Sequence, residues 1–416
     1  MKNDKRLAIN GGAKVKINPY HTVRRFGDRE IQCLQEALDQ NTLFYGYGQK
    51  VKQACEMMKR YTGRPWVVPC GSGTAAIHLG LIACGIGMGD EVIVTPNTDS
   101  GSVIGIIAEG AVPVFCDCAD NLQPSAATMA ARITARTRAV IVVHLAGYPA
   151  PVDEIVALCR SRQIGVVEDC AQAWGARLNG VQVGAFGTAG AFSTNDFKHL
   201  STGDGGFVVL DDAELYRRVS NYSDKYYDRL FDNSLRQAHH GMNYRMSELQ
   251  GAVAVAQLEK ADTITSRYHA IGVRFEQKLK DLPGGRMIQA IPGAYSTYWW
   301  SAIIIDPARL DGTRDELVRA LQAEGLSVNS YGRYDLIQKR LFQECVVRPW
   351  LADQRRFYPF RQPDGRSYTY DYGPTPTHKR LLETAITLAV GSGYTDADVD
   401  ETAAGLHKVF GAFVRS

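Results

Sequence analysis

Between about residues 66 and 215, short apolar runs rich in β-branched residues alternate with segments of helical pattern. The runs are apolar throughout, which is typical of strands buried on both faces of a sheet. The segments between them, such as 74–84 and 152–163, are long enough to cross over between parallel strands. This pattern predicts a doubly wound α/β sheet. The predicted strands are PWVVP (65–69), EVIVT (91–95), AVPVFCD (111–117), RAVIVVHLA (138–146), IGVVED (164–169), AGAFST (189–194) and GGFVVLD (205–211).

The regions on either side of this sheet have a different pattern. Little helical sequence separates the last two predicted strands, so we expect the sheet to contain an antiparallel member. The whole pattern predicts a large domain over residues 1–265, which includes an N-terminal arm, and a smaller α+β domain over residues 266–416. The further predicted elements are helices at 28–40 and 51–61 with a loop at 41–48 between them, one long helix over 247–271, a strand at 297–306, and helices at 314–325 and 396–410.

Composition narrows the class of protein. The 416 residues are 45% hydrophobic and 22% charged, as in ordinary globular proteins, and a net charge of +3 gives no reason to expect nucleic acid or an anionic membrane as partner. The N-terminus MKNDKRLAING has no apolar signal core, and no 18-residue run is uninterruptedly apolar. Nine cysteines form neither CxxC nor zinc spacing. We expect a cytoplasmic protein without a metal site.

The segment CGSGTAA (70–76) is the first candidate for chemistry, because a strand ends there, a small-residue turn follows and a helix begins. Backbone N–H groups and the helix dipole at such a start suit a phosphate, and the hydroxyls of Ser72 and Thr74 add two donors. The alternative is a simple helix cap. No Gly-Lys-Ser/Thr follows, and the dinucleotide fingerprint is incomplete, so neither a P-loop nor a Rossmann site is indicated.

Asp169 ends the apolar strand in VVEDCAQAWG (166–175). A carboxylate there lies at the carboxyl edge of the sheet, where open α/β sheets bind ligands. It could pair with a protonated pyridine nitrogen, so that the ring acts as an electron sink. The alternative is an aspartate that caps the next helix.

Lys198 lies in AFSTNDFKHLSTGDGG (191–206), after a strand and before a Gly-rich turn. A lysine at a sheet edge within a cleft is the arrangement that forms Schiff bases. A solvated surface lysine fits poorly between Phe197 and Leu200. Ser193, five residues earlier, could reach a phosphate.

In this order the blocks resemble the DegT/DnrJ/EryC1/StrS aminotransferases, a branch of the fold-type I pyridoxal-phosphate (PLP) enzymes. The resemblance covers about residues 6–280 closely and the rest loosely. The start RLAINGG is similar to members that act on ketocyclitols, the glutamine:scyllo-inosose aminotransferase branch. The matching blocks are GSGTAAIHLGLIACGIGMGDEVIV, GAVPVFCD, VHLAGYP, VEDCAQAWGA, the FS…KHLSTGDGG segment and GMNYRMSELQGAVAVAQLEK (241–260).

The resemblance implies a three-layer α/β/α, aspartate-aminotransferase-like large domain with a smaller C-terminal domain. It assigns Lys198 to the Schiff base with PLP, Asp169 to the pyridine nitrogen and Gln172 to the 3-hydroxyl group. Asn243 is expected to reach the phosphate in the neighbouring subunit, so a homodimer with shared sites is implied. Arg245 is either structural or part of the site, and a structural role is expected for His144 and His199. The residues assigned to the phosphate are Ser72, Gly73, Thr74 and Ser193.

One position departs from the family pattern. Many members have an aromatic residue that stacks on the PLP ring, and here TPNTDSG places Asp99 at that point. A carboxylate cannot stack on the pyridine face. We expect Asp99 to lie beside the cofactor and to hydrogen-bond the substrate or a neighbouring side chain.

The function implied is a PLP-dependent aminotransferase that moves an amino group from glutamate or glutamine to a ketosugar or ketocyclitol, through the pyridoxamine-phosphate (PMP) form of the cofactor. Amino-sugar, aminocyclitol or natural-product biosynthesis is the expected setting. Residues 298–300, 329–334 and 348–350 are expected to shape the acceptor pocket.

Three alternatives remain. Ketosugar dehydratases carry His in place of Lys198, an aromatising dehydratase keeps the lysine, and a PLP-binding regulatory protein is disfavoured by the complete set of cofactor residues.

Overall fold

The computed structural model describes residues 6–229 and 239–415. Its strands are β1 (Trp66–Cys70), β2 (Glu91–Val94), β3 (Val112–Phe115), β4 (Thr137–Val143), β5 (Gly165–Asp169), β6 (Arg177–Leu178), β7 (Val181–Gln182), β8 (Ala189–Ser193), β9 (Gly206–Leu210), β10 (Gly285–Met287), β11 (Ala294–Tyr295), β12 (Trp300–Ile305), β13 (Val328–Ser330) and β14 (Ala385–Ala389). Its α-helices are α1 (Asp28–Asp39), α2 (Lys50–Thr62), α3 (Gly73–Ala83), α4 (Gly101–Ala108), α5 (Ala126–Ala130), α6 (Val152–Arg160), α7 (Ala213–Ser223), α8 (Glu248–Glu259), α9 (Ala261–Lys278), α10 (Arg314–Ala323), α11 (Arg340–Glu344), α12 (Pro376–Thr384) and α13 (Asp396–Phe413).

A seven-stranded sheet in the order β1-β9-β8-β5-β4-β2-β3 forms the centre of the large domain. All seven predicted strands occur in it, and β9 is antiparallel to both of its neighbours, which confirms the expected antiparallel member. Residues 139–143 of β4 are at most 1% exposed, because helices cover both faces of the sheet. The predicted α/β class is confirmed.

The sheet brings the three candidate motifs to one edge. Parallel strands end on the same side, so the turns after β1, β5 and β8 lie together. Cys70 of β1 pairs with Gly206, which in turn pairs with Ser193 at the end of β8. Asp169 lies opposite Ala191, two residues before Ser193. The pairing therefore sets the spacing between the phosphate-binding turn and the carboxylate.

The prediction of one long helix over 247–271 is wrong, because the helix is broken. The chain forms two helices, α8 and α9, that meet at Lys260, whose φ of −111° and ψ of 11° are not helical. The Lys260 amine donates to the carbonyl of Arg25 at 2.8 Å and pairs with Glu30 at 2.5 Å, so the break is tied to the N-terminal arm. No glycine or proline marks the break in the sequence.

The C-terminal part contains an antiparallel sheet in the order β10-β12-β14-β13, with α10 and α13 packed beside it. Helix α9 runs through residue 265, so the domain boundary placed there stays a prediction. Residues 335–375, outside regular strands for most of their length, cover the β3 edge of the large sheet, where Tyr370 Oη donates to the carbonyl of Pro113 at 2.8 Å. Within the described residues, no helix is long and apolar enough to cross a membrane.

The N-terminal arm is fastened to the last helix by a buried ion pair. Lys16 Nζ lies 2.8 Å from Asp398 Oδ1, and each residue is 4% exposed. Burial alone would raise the pKa of Asp398, but the hydrogen bonds from Lys16 and Thr395 hold it well below its usual value. The carboxylate therefore stabilises the fold above the pKa of the unfolded chain, and this contribution is lost as the pH falls.

We expect Asp398→Asn to lower the free energy of unfolding by about 1–3 kcal/mol at pH 7, because Lys16 loses its charged partner. The difference from the wild type shrinks as the pH falls below about 4, where the aspartate of the unfolded chain is itself protonated. Thermal unfolding measured across this pH range checks both statements. Asp400→Asn, on the same helix as Asp398, alters an exposed pair with Arg274 of α9 and is the matched control, with a much smaller loss. Equal losses in both variants would contradict the account.

Candidate active site

The turn before α3 forms a cradle for an anion. The hydroxyl of Ser72 caps the helix by accepting from the N–H of Ala75 at 3.1 Å. The N–H groups of Gly73 and Thr74, at the positive end of the helix dipole, have no hydrogen-bond partner among the described residues. Ser193 closes the cradle, since a Cβ added to Gly73 would lie 2.6 Å from its hydroxyl oxygen. The four residues predicted to hold a phosphate are therefore adjacent.

Two consecutive carboxylates end β5, and because strand side chains alternate, they face opposite sides of the sheet. Glu168 is fully buried and accepts from the His144 ring and from the N–H groups of Gly184, Phe186 and Gly187. Burial alone would raise the pKa of Glu168, but these donors hold it below its usual value. Glu168 is thus a satisfied structural anion.

Asp169 is equally buried but has fewer donors. Its carboxylate accepts from Ser102 Oγ at 2.7 Å and from the N–H of Ala171 at 3.0 Å. Burial raises the pKa of Asp169, and the hydrogen bond from Ser102 and the charge of Lys198 only partly oppose that rise. A cationic partner, such as a protonated pyridine nitrogen, would complete this half-satisfied carboxylate.

Gln172 is 5% exposed and has a fixed orientation. Its Oε1 accepts from the N–H of Ala146 at 2.9 Å. Its Nε2 donates to no described residue, so a donor is left over at the site. This donor, the N–H groups of the cradle and the Asp169 carboxylate match in chemistry the 3-oxygen, phosphate and ring nitrogen of PLP. The residues present therefore fit the predicted cofactor.

The turn that carries Lys198 is held by distant parts of the chain. Arg25, on the N-terminal arm, donates to the carbonyl of Lys198 at 2.6 Å and also to that of Asp196. Trp299 donates through its indole N–H to the carbonyl of Phe197 at 2.7 Å, and its ring lies 4.0 Å from Lys198 Nζ. Burial lowers the pKa of Lys198, and the carboxylates of Asp169 and Asp99 oppose that shift without cancelling it. The amine is thus easier to deprotonate than that of an exposed lysine.

Asp99 is exposed at the mouth of the site. Its Oδ1 accepts from the N–H of Gly101 at 2.8 Å, and a Cβ added to Gly101 would lie 3.1 Å from that oxygen and 2.8 Å from Thr74 Oγ1. The carboxylate therefore holds its own turn, and that turn lies beside Thr74 of the cradle. Its contact with cofactor or substrate stays a prediction.

Asn243 lies in an extended segment whose main chain pairs with Asp224 at Asn243 and with Cys70 at Arg245. The side chain of Asn243 is exposed. The neighbouring Tyr244 accepts from Gly71 and donates to Ser223 through its main chain, so the segment is fixed beside the cradle. Arg245 pairs with the buried carboxylate of Asp224 at 2.6 Å, which favours the structural alternative for this residue. The reach of Asn243 into a partner subunit stays a prediction.

The two histidines near the site are engaged in internal contacts. His144 donates to Glu168 and accepts from Ala150, while His199 donates to the carbonyl of Thr297 at 3.0 Å. Burial lowers the pKa of His199 to about 4, so its ring is neutral at physiological pH. His144, Glu168 and Cys170 have possible metal-ligand atoms within 4.8 Å of one another. The imidazole nitrogens and the carboxylate are already used in hydrogen bonds.

A cavity of about 710 Å³ opens next to Trp299, the residue whose ring lies against the Lys198 amine. Of the residues expected to shape the acceptor pocket, 299, 300 and 329–334 line this cavity, whereas 298 and 348–350 do not. Tyr298 is instead 3% exposed and packs against Tyr148. Side chains of α10, including Arg319, form the opposite wall.

Sequence reasoning missed Ser102 and Arg25, and it missed the contact of Trp299 with the Lys198 turn. Ser102 lies in the first turn of α4 and reads as an ordinary helix-start residue. Trp299 and Arg25 reach Lys198 from about 100 and 170 positions away along the chain, so no local spacing reveals them.

Comparison with known proteins agrees with this geometry. The family model of the DegT/DnrJ/EryC1/StrS aminotransferases matches residues 25–346. The chain is also 34% identical over 294 residues to GDP-perosamine synthase from Escherichia coli O157:H7, an alignment that spans 70% of this chain and 78% of that protein. The chain belongs to the DegT/DnrJ/EryC1/StrS aminotransferase family. Membership confirms the expected enzyme class and its cofactor, PLP.

Solved structures with a similar fold match most of the chain. An aminotransferase from Psychrobacter cryohalolentis has a TM-score of 0.81 at 25% identity, over 95% of this chain and 100% of that one. The E. coli GDP-4-keto-6-deoxy-D-mannose-3-dehydratase with bound hydrated PLP has a TM-score of 0.79 at 22% identity, over 94% of this chain and 99% of that one. Because one fold carries both reactions, the reaction must be argued from the site.

Ser102→Ala is expected to lower kcat about tenfold, because a hydrogen bond to a charged group contributes about 1.5–3 kcal/mol. Without this donor the pKa of Asp169 rises further, so the acidic limb of the kcat–pH profile moves to higher pH. Steady-state kinetics across pH with the PLP-loaded enzyme measure both. Ser100→Ala, an exposed neighbour, is the control and leaves the profile unchanged. An unshifted limb in Ser102→Ala would count against this role for Asp169.

Proposed function

We propose that this enzyme transfers an amino group from glutamate or glutamine to a ketosugar or ketocyclitol. The observation that carries the proposal is that the sheet register brings Asp169, the turn before α3 and the end of β8, which leads to Lys198, to one edge of the central sheet. This combination supplies a nucleophilic amine, an anion for a ring nitrogen and a cradle for a phosphate. The cofactor, when bound, supplies an electron sink that stabilises negative charge on the carbon next to the amino group.

The residues around the cradle divide the work of holding PLP. Ser72, Gly73, Thr74 and Ser193 would bind its phosphate, Asp169 its ring nitrogen and Gln172 its 3-oxygen. Ser102 donates to Asp169 and so favours its ionised form, and Thr98, whose hydroxyl lies 2.7 Å from that of Ser102, orients the serine. This pairing favours a protonated ring nitrogen, which the electron sink requires.

Lys198 is the group that we propose moves the proton. Its burial lowers its pKa, so a larger share of the amine is neutral near pH 7 and able to accept a proton from the donor's α-carbon. The Trp299 ring at 4.0 Å and the nearby carboxylates of Asp169 and Asp99 stabilise the ammonium that results. The same amine can return the proton in the opposite half-reaction.

The acceptor is proposed to bind in the cavity next to Trp299. Its walls combine aromatic faces with polar groups, such as Asn329 and Arg333, which suits a ligand with many hydroxyl groups. The likeness to a GDP-perosamine synthase supports a ketosugar, and the RLAINGG start supports the scyllo-inosose branch. Lys198, where ketosugar dehydratases are expected to carry histidine, favours amino transfer over dehydration. An aromatising dehydratase also keeps the lysine, and its product distinguishes it from an aminotransferase.

The setting of the enzyme is also proposed. We propose a homodimer with shared sites because the family resemblance implies one, and the exposed side chain of Asn243 beside the cradle supports it. We propose a cytoplasmic location because the nine cysteines follow no disulfide or zinc pattern, and amino-sugar, aminocyclitol or natural-product biosynthesis because of the acceptor class.

Half-reaction spectroscopy tests the proposal. Glutamate or glutamine added to the PLP-loaded enzyme is expected to convert it to the PMP form, and a ketosugar or ketocyclitol is expected to convert it back with formation of an amino product. Lys198→Ala should lose both conversions by a factor of at least about 10³, because the proton has no other carrier. Lys379→Ala, which removes an exposed lysine of α12, is the control and retains them. Release of water or an aromatic product from the acceptor would replace the proposal by the dehydratase alternative.

A further inference from the structure

A second cavity, of about 340 Å³, lies on the other side of the turn that carries Lys198. It is formed by the N-terminal arm, by residues at the junction of α8 and α9 and by the loop before α13. The phosphate cradle at α3, Asp169 and Trp299 do not contribute to it. Its described lining is His21, Thr22, Val23, Arg24, Arg25, Phe197, Lys198, His199, Gln257, Lys260, Thr263, Ile264, Arg267, Tyr268, Gly391, Ser392, Gly393 and Tyr394.

The charge of this cavity is one-sided. Among the described residues that line it, Arg24, Arg25, Lys198, Lys260 and Arg267 are cationic, and none is an aspartate or glutamate. Four of these cations, Arg24, Arg25, Lys260 and Arg267, remain when Lys198 holds the cofactor, and without a lining anion they create a positive potential that favours an anionic ligand.

Most of these cations are only partly neutralised from outside the cavity. Lys260 pairs with Glu30, and Arg25 is directed at main-chain carbonyls with Asp196 3.7 Å away. Arg24 and Arg267 are exposed and form no ion pair within the described residues. Two guanidinium groups that line the cavity are thus available to bind an oxyanion.

His199 adds a hydrogen-bond acceptor to a cavity whose charged lining groups are all donors. Its Nε2 donates to the carbonyl of Thr297, so its Nδ1 is an acceptor, and this buried nitrogen has no hydrogen-bond partner. The residue is 2% exposed and lines the cavity. A buried acceptor without a donor is costly, and a ligand hydroxyl would satisfy it.

We infer that this cavity binds a small oxyanion that also carries a hydroxyl group, with Arg24 and Arg267 on the anionic oxygens and His199 accepting from the hydroxyl. Inorganic phosphate and other protonated phosphates have this chemistry. A dicarboxylate has the charge but no hydroxyl. The site is separate from the cofactor cradle, and the inference does not depend on the amino-transfer reaction.

Calorimetric titration of the PLP-loaded enzyme tests the inference, because the cofactor's own phosphate then fills the cradle at α3. The probes are inorganic phosphate and succinate at constant ionic strength, so that general screening does not imitate binding. We expect saturable binding of phosphate, with succinate bound at least several-fold more weakly because it offers His199 no donor. If neither probe binds saturably, the inference is overturned. If phosphate and succinate bind with equal affinity, the role given to His199 is overturned.

Matched variants locate the site. The double variant Arg24→Gln/Arg267→Gln should weaken phosphate binding at least tenfold, whereas Arg267→Lys alone should retain most of it. Arg309→Gln/Arg361→Gln, two exposed arginines that do not line this cavity, is the control and should bind like the wild type. The exchanged side chains are exposed, so the midpoint of thermal unfolding without phosphate should stay the same in all variants. Unchanged phosphate affinity in the Arg24/Arg267 double variant would overturn the proposed location.

Discussion

The site depends on a carboxylate buried at the end of the central strand β5. Asp169 is 5% exposed, and taking an ionised carboxylate out of water is costly unless donors or a cation replace the lost solvent. Among the described residues, only Ser102 and the main-chain N–H of Ala171 donate to this carboxylate, and burial raises the pKa of Asp169. The neighbouring Glu168 has four donors and is complete without a ligand. Of two consecutive acids, one stabilises the fold, and the other requires a cationic partner from outside.

The rest of the site is arranged around this requirement. The pairing of β1, β9 and β8 places the start of α3 and Ser193 together, at a distance from Asp169 set by the sheet register. The Lys198 turn lies beyond the same edge, and Arg25 and Trp299 hold it through main-chain carbonyls from the N-terminal arm and the C-terminal part. The lysine is therefore positioned by three regions that are far apart in sequence. A change in any one of them would alter the approach of the amine without touching the cofactor residues.

Much of this arrangement could be predicted from sequence, because its causes are local. Continuous apolar runs identify buried strands, and a Ser-Gly-Thr turn before an apolar segment identifies a helix start. The edge of a parallel sheet then brings Ser72, Asp169 and Ser193 together by topology alone. What sequence could not give was long-range. The break at Lys260 has no Gly or Pro signal, and the hydrogen bond of Ser102 depends on how α4 packs. The arm contacts of Lys16 with Asp398 and of Arg25 with Lys198 join residues 382 and 173 positions apart.

The central claim is that Lys198 is the residue that holds the cofactor in the site completed by Asp169. Borohydride reduction of the PLP-loaded enzyme, followed by proteolysis and mass spectrometry of the peptides, tests it most directly, since reduction makes a lysine–cofactor linkage permanent. The account predicts the cofactor mass on the peptide that contains Lys198, at one per chain. Attachment at another lysine, such as Lys225 or Lys260, or absence of any labelled peptide from an active preparation, would contradict it.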